Sequence, residues 1–95
     1  MQLEKFLQSR INRKIIKFFL ENPSSIDTSR GIAIWINENI ESTERALKQL
    51  VQANILVPHG TDATSAYGYT TDKKLTSRIR LSFKKLGDKK RNRYH

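Results

Sequence analysis

The chain has 95 residues, enough for one domain and not for two. Hydrophobic residues make up 37% and charged residues 28%, a mixture typical of a globular protein, which argues against a disordered chain. There is no cysteine, which excludes disulfide bonds and thiolate chemistry, and no apolar run approaches the roughly 20 residues that span a bilayer.

The net charge is +9, and it is unevenly distributed along the chain. Residues 1–20 contain five basic residues and one acidic residue, a net charge of +4. Residues 21–72 contain three basic and seven acidic residues (−4), and residues 73–95 contain ten basic residues and one acidic residue (+9). An excess of this size favours an anionic partner, either nucleic acid or an acidic membrane surface. Any such attraction must come from the two ends of the chain.

The N-terminal segment has the apolar spacing of a helix. Ser9 is a suitable N-cap, so we predict a short leader helix followed by a main helix that ends at Asn22-Pro23. The apolar residues that recur at three- and four-residue steps are Leu3, Phe6, Leu7, Ile11, Ile15 and Phe19.

Two further helices follow, with a very short connection between them. The first begins near Asp27 as its N-cap, and we expect Trp35 to pack in the core beside its buried face. The stretch Asn37-Glu38-Asn39 predicts a tight turn, and the next helix runs from Asn39 or Ile40 to Ala53. The buried faces are formed by Ile32, Ala33 and Ile36 in one helix, and by Thr43, Ala46, Leu47, Leu50 and Val51 in the other.

The remainder predicts a β-hairpin and a last helix. Residues 55–59 and 66–70 favour strands around a loop rich in turn formers, with Pro58 on an edge and the tyrosines of the second strand packed on the sheet. The last helix starts at Thr71 or Asp72, and Gly87 is placed to end it. We therefore divide the chain into a domain of residues 1–86 and a basic flexible tail of residues 87–95.

Three helices, a hairpin and a helix, with two helices joined by a short turn, are typical of the helix-turn-helix. The stretches SRINRKIIKFFLENP, IAIWINENIESTERALKQLVQANILV and YGYT resemble the winged helix-turn-helix superfamily of small prokaryotic DNA-binding regulators. The resemblance covers residues 9–86 and implies a mainly α fold with a small β-hairpin (α+β). It implies a three-helix core, a two-stranded wing and a C-terminal helix.

The same resemblance assigns residues 40–53 as the helix that enters the major groove of double-stranded DNA. On its exposed side Arg45 could read guanine and Gln49 adenine, while Ser42 lies where a helix N-terminus favours a phosphate. Glu41 and Glu44 on that side would repel phosphates, and the wing loop has no Lys or Arg. The predicted DNA-binding residues are Ser42, Arg45, Lys48 and Gln49, with phosphate contacts from Arg13, Lys14, Lys84, Lys85, Lys89, Lys90 and Arg91.

The sequence offers no signal for catalysis, a cofactor or a metal site. Only His59 and His95 could supply imidazole ligands, and no nucleophile elbow, phosphate-binding loop or zinc-protease motif occurs. The first ten residues lack the apolar core of a signal peptide, so we expect a cytoplasmic, nucleoid-associated protein.

Two alternatives to a DNA-binding regulator stay open. One is a protein-interaction module of the same fold that docks a partner on its acidic centre. The other is a protein that binds DNA or RNA without sequence preference. We also expect a homodimer, in which a stripe of the last helix either closes the domain's own core or pairs across a two-fold axis. The stripe is Leu75, Ile79, Phe83 and Leu86, facing Phe6 and Leu7.

Overall fold

The computed structural model describes residues 3–60 and 65–92, with side chains up to residue 86. These residues form a mainly helical chain with a small antiparallel sheet of three strands, an α+β arrangement. In chain order the elements are α1 (Leu3–Leu7), α2 (Arg10–Glu21), β1 (Ile26–Thr28), α3 (Ser29–Ile36), α4 (Ile40–Gln52), β2 (Leu56–Gly60), β3 (Ser65–Tyr69) and α5 (Lys73–Asn92).

The leader helix and the main helix form as predicted. The Ser9 hydroxyl accepts the main-chain N–H of Asn12 at 3.3 Å, which caps α2. The helix ends at Asn22, whose N–H still donates to the carbonyl of Phe18 at 2.9 Å before Pro23 diverts the chain. Ile15, Ile16 and Phe19 are fully buried, so α2 forms the centre of the core.

The sheet has a strand that the sequence did not reveal. β1 pairs with β3, which also pairs with β2, so the expected two-stranded wing belongs to a sheet of order β1-β3-β2. A strand of three residues is too short to show a period of two, which is why the pattern missed it.

The N-cap of α3 lies one residue later than expected. Asp27 was expected to cap this helix, and that prediction is wrong, because α3 begins at Ser29 and the residue before it is Thr28. Thr28 is the cap, and its hydroxyl accepts the N–H of Gly31 at 3.1 Å. A Cβ at position 31 would lie within 2.7 Å of the Asp27 carboxyl carbon. Any larger residue here would require the Asp27 carboxylate to move.

The tight turn between α3 and α4 is confirmed. Asn37 adopts a left-handed conformation (φ 56°), and the N–H of Glu38 returns to the carbonyl of Ala33 at 3.0 Å. The Asn39 side chain then accepts the N–H of Ser42 at 3.1 Å and so caps α4.

The aromatic residues divide between the core and the surface. Tyr67 and Tyr69 are buried, as predicted, and the rings of Phe19 and Tyr69 stack with centroids 6.1 Å apart. Trp35, which was expected in the core, is 71% exposed and touches only the edge of it, with its ring 5.9 Å from that of Phe18. The buried face of α3 passes through Ile32 and Ile36, and one residue is a rotation of about 100°, which carries Trp35 outward.

The last helix is longer than expected. Asp72 caps it, because its carboxylate accepts the N–H groups of Lys74 and Leu75 at 3.0 and 3.2 Å. Gly87 was expected to end the helix, and that prediction is wrong, because α5 continues to Asn92. An internal glycine costs only about 1 kcal/mol, and the lysines and arginine that follow are good helix formers. The division of the chain at residue 86 stays a prediction.

Candidate nucleic-acid interface

The polar face of α4 is the candidate interface. Thr43, Leu47 and Leu50 are fully buried beneath the helix, which fixes its rotation on the core. The opposite side is left to solvent, with Arg45, Lys48 and Gln49 exposed and Ser42 half-buried. The four residues predicted for this face therefore lie together on one helix.

Acidic side chains share this face and moderate its charge. The carboxylate of Glu44 lies 3.7 Å from the ammonium of Lys48 one turn along the helix; the Lys48 side chain is exposed and that of Glu44 is half-exposed. The guanidinium of Arg45 lies 3.5 Å from the Ser42 hydroxyl. Arg45 is thus held along the helix without an acidic partner among the described residues.

The turn that precedes α4 is held by the carboxylate of Glu38. Lys14 of α2 contacts this carboxylate at 2.7 Å, and the Arg10 guanidinium binds both of its oxygens at 3.1 Å. The Glu38 side chain is only 9% exposed although it lies in a turn. The hydrogen bond from Lys14 is the main cause that lowers the pKa of Glu38; removal from water opposes it, and Arg10 adds to it.

Two basic residues predicted to bind phosphates make contacts within the protein. Arg13 donates to the carbonyls of Leu7 and Gln8 at 2.7 and 3.0 Å, which satisfies the C-terminal end of α1. Lys14 donates to the carbonyl of Ile36 at 3.1 Å in addition to Glu38. Both cations therefore hold helix ends in place, and contact with phosphates by either one stays a prediction.

Two adjoining grooves run between the N-terminal helices and α4. One is lined by Lys5, Phe6, Ser9, Asn12 and Gln49. The other is lined by Ser9, Ile11, Asn12, Ser42, Arg45, Ala46 and Gln49. Three of the predicted residues of α4 thus face the first turn of α2.

The remaining predicted residues lie on α5, which packs against α1. Lys84 and Lys85 are exposed there, on a different element from the α4 face. Lys89, Lys90 and Arg91 belong to the last turns of the same helix, and their side chains lie outside the described residues. Residues 61–64 of the wing loop also lie outside the described part.

Residues 3–60 and 65–86 bring together no group of three His, Asp or Glu side chains that could hold a metal ion. Within the same described part, no helix has both the length and the apolar character needed to cross a membrane.

Sequence reasoning missed two residues of the site. Glu38 was read only as part of a turn, and its two partners lie 24 and 28 residues away in the chain. Asn12 was not singled out, although it is 5% exposed and lines both grooves. A polar residue at a helix position that would otherwise be apolar was the one available signal for Asn12.

The fold is shared with two archaeal proteins of known structure. The first is described as a possible transcriptional regulator from Methanosarcina mazei Go1; it matches with a TM-score of 0.62 and 13% identity over 99% of this chain and 87% of its own. The second is the ST1889 protein of the thermoacidophilic archaeon Sulfolobus tokodaii, with a TM-score of 0.60 and 16% identity over 92% of this chain and 96% of its own. No protein-family model and no curated protein matches the sequence.

We expect Glu38→Gln to lower the melting temperature at neutral pH. The melting temperature of this variant should also change less than that of the wild type as the solution is acidified. A carboxyl whose pKa is lowered by folding stabilises the fold above its unfolded pKa, and this contribution disappears as the pH falls through the folded value. The difference in melting temperature between the wild type and Glu38→Gln should therefore be largest near pH 7 and should shrink as the pH falls below about 4.

Thermal unfolding followed by circular dichroism at several pH values measures this difference. Glu44→Gln is the matched control, because Glu44 is half-exposed and its ion pair is with an exposed lysine, Lys48, at 3.7 Å. A melting temperature for Glu38→Gln that follows the wild type at every pH would contradict the assigned role of the carboxylate.

Proposed function

We propose that the chain is a winged helix-turn-helix regulator that binds double-stranded DNA and inserts α4 into the major groove. The observation that carries this proposal is the geometry of α3, the three-residue turn and α4. This geometry buries one side of α4 and offers the opposite polar side, with Arg45 and Gln49, to solvent.

The order of the elements supports the same assignment. The helix pair α3–α4 follows α2 and the short strand β1 and precedes the hairpin β2–β3. Because β3 also pairs with β1, these elements form a compact frame around α4. The archaeal protein that shares this fold is described as a possible transcriptional regulator, which agrees with a regulatory role. At 13% identity the likeness supports the fold, and the role rests on the α4 face.

The distribution of charge separates affinity from base reading. The α4 face carries acids beside its cations, so it attracts DNA weakly by itself. The attraction is assigned to the C-terminal segment, residues 73–95, with a net charge of +9. On α4, Arg45 reads guanine, Gln49 reads adenine and Ser42 contacts a phosphate. We assign no catalytic step, cofactor or metal to the chain, and we place it with the nucleoid in the cytoplasm.

We also propose that two copies pair through α5. Leu75 and Ile79 are already buried within one chain against the N-terminal helices, so this half of the stripe closes the domain's own core. Phe83 and Leu86 are only half-buried and continue the stripe along the helix. A second copy would cover these two residues and present two α4 helices to one duplex.

One observation favours a second candidate function, a protein-docking role. Ile34 and Trp35 are neighbours on α3 and, at 73% and 71%, are the two most exposed large apolar side chains of the described residues. A protein partner that covers this pair could bind at the same time as α4 binds DNA. Protein binding could also be the function of the chain in place of DNA binding. Binding of DNA or RNA without sequence preference is a third candidate function, and the experiments below distinguish it from the other two.

We expect Arg45→Ala to weaken binding to a preferred duplex by about 1–3 kcal/mol and to affect random duplex less. The side chain is exposed and supports no other element, so the melting temperature should change little. Affinity is measured on a duplex selected from a random library and on a scrambled duplex, with RNA as competitor.

Glu41→Ala is the matched control for this experiment, because it lies on the same exposed face and would remove a repulsive charge. Equal losses on both duplexes would indicate a phosphate contact by Arg45. An unchanged affinity on both, together with capture of a protein partner that is lost in Trp35→Ala, would favour the docking function.

We expect removal of residues 88–95 to flatten the salt dependence of DNA binding. These residues contain four cations, and each phosphate that is neutralised contributes about 0.9 to the slope of log affinity against log salt concentration. The slope should decrease by roughly 2–4, while sequence preference is retained because phosphate contacts carry no base information. Identical slopes for the full-length and shortened chains would show that this segment does not contact DNA.

We expect the double variant Phe83→Ser, Leu86→Ser to shift the protein from dimer to monomer in sedimentation equilibrium. The control is Leu81→Ser, because Leu81 is 59% exposed and lies away from the stripe. Circular dichroism checks that each variant remains folded. A wild-type protein that sediments as a monomer at every concentration would refute the pairing of α5.

A further inference from the structure

The side chain of Asn12 is one of two in the described structure, with that of Tyr69, that bury a polar atom without a hydrogen-bond partner. It is only 5% exposed, and its Oδ1 is fully buried with no hydrogen-bond donor among the described residues. A buried amide oxygen without a donor destabilises the folded state, and an apolar residue of similar size would avoid this cost. The position of Asn12 indicates which residue can donate a hydrogen bond to this oxygen.

Asn12 lies in the first turn of α2, where this helix faces α4. It lines both grooves between the two elements, and Gln49 is the only residue of α4 that lines both grooves with it. Gln49 is exposed, so its side chain is able to reach solvent or a ligand. Its amide has two N–H groups and one carbonyl oxygen, more than a base edge uses.

We propose that Asn12 is a positioning residue for base reading: its Oδ1 accepts one N–H of the Gln49 amide when α4 is on DNA. The second N–H of Gln49 then donates to N7 of adenine, and the Gln49 carbonyl accepts from the adenine N6 amino group. All three groups of the Gln49 amide, and the buried oxygen of Asn12, are satisfied by this arrangement. The inference rests on the proposed function, because it assigns a role within the α4 face.

Fixing the amide matters because its two ends are similar in size and opposite in hydrogen-bonding character. A free glutamine amide rotates by half a turn and exchanges its donor for its acceptor, which removes the distinction between adenine and other bases. A buried acceptor beside the amide allows only the orientation in which the nitrogen faces α2. Asn12 would therefore supply specificity without touching DNA.

The other donors near Asn12 fit this role less well. The Arg45 guanidinium lies against Ser42 at 3.5 Å and lines only one of the two grooves. It presents donors on every edge, so its base reading gains nothing from being oriented. The Lys5 side chain lines only the other groove, away from Arg45 and Ser42.

The test is selection of bound sequences from a random duplex library at physiological salt, using the full chain. The wild type should show one position where adenine is preferred by about 5- to 150-fold, the range expected for one bidentate contact. Gln49→Ala should abolish the preference at that position. Asn12→Leu should reduce it to within about twofold of the other bases, although Leu removes the unpaired oxygen and should not lower the melting temperature.

Two variants control the interpretation. Asn12→Asp keeps an acceptor oxygen at the same place and should retain the adenine preference, a rescue that a packing role would not give. Arg45→Ala should alter a different position of the selected site. Thermal unfolding of each variant confirms that it is folded under the selection conditions.

The outcomes separate this inference from the proposed function. An adenine preference that survives in Asn12→Leu, or that is unaffected by Gln49→Ala, overturns the positioning role while DNA binding stands. Binding without any base preference in the wild type overturns it as well. Failure of the wild type to bind duplex DNA at all overturns the proposed function, and the positioning role with it.

Discussion

The orientation of α4 depends on the carboxylate of Glu38. This carboxylate lies in the turn between α3 and α4, and it is bound by two cations of α2, Arg10 and Lys14. Lys14 also binds the last carbonyl of α3, so one ammonium joins the end of one helix to the start of the next. Apolar packing of Thr43, Leu47 and Leu50 sets the rotation of α4, and the bidentate pair of Arg10 with Glu38 adds a directional contact at the turn that precedes the helix. The exposed face of α4 is therefore positioned by both kinds of contact.

The same interaction changes the meaning of the positive charge in the first 20 residues. Arg10, Arg13 and Lys14 all bind acceptors of the protein itself, either a carboxylate or the carbonyls at helix ends. A cation that already has a near partner is less available to neutralise a phosphate, because the new contact must replace an existing one. The net charge of +4 in this segment thus overstates its attraction for DNA, and the burden shifts toward α5.

Helices with a clear apolar periodicity and a capping residue were predictable from the sequence. A very short strand and contacts between residues far apart in the chain were not. Ser9 and the helix of residues 40–52, with their apolar spacing, were read correctly, as was the turn at Asn37. β1 was missed because three residues carry no period, and the cap of α3 is Thr28 and not Asp27. Contacts of Glu38 across more than 20 residues leave no local trace in the sequence, so its pairing with Arg10 and Lys14 is evident only in the folded chain.

The proposed function explains the acidic residues on the α4 face, because it assigns DNA affinity to α5 and base reading to α4. A strongly cationic α4 would bind every phosphate backbone and would gain little from contacting the right bases. In the proposed function, Glu44, beside Lys48 at 3.7 Å, would reduce that general attraction and make α4 more dependent on hydrogen bonds to base edges. The exposed pair Ile34 and Trp35 lies on α3 and not among the exposed polar residues of α4, so a protein partner could cover it without displacing DNA. Under the proposed function, α4, whose two acidic and two basic residues cancel, together with the cationic α5 suits a protein whose binding strength and sequence preference are adjusted by separate residues.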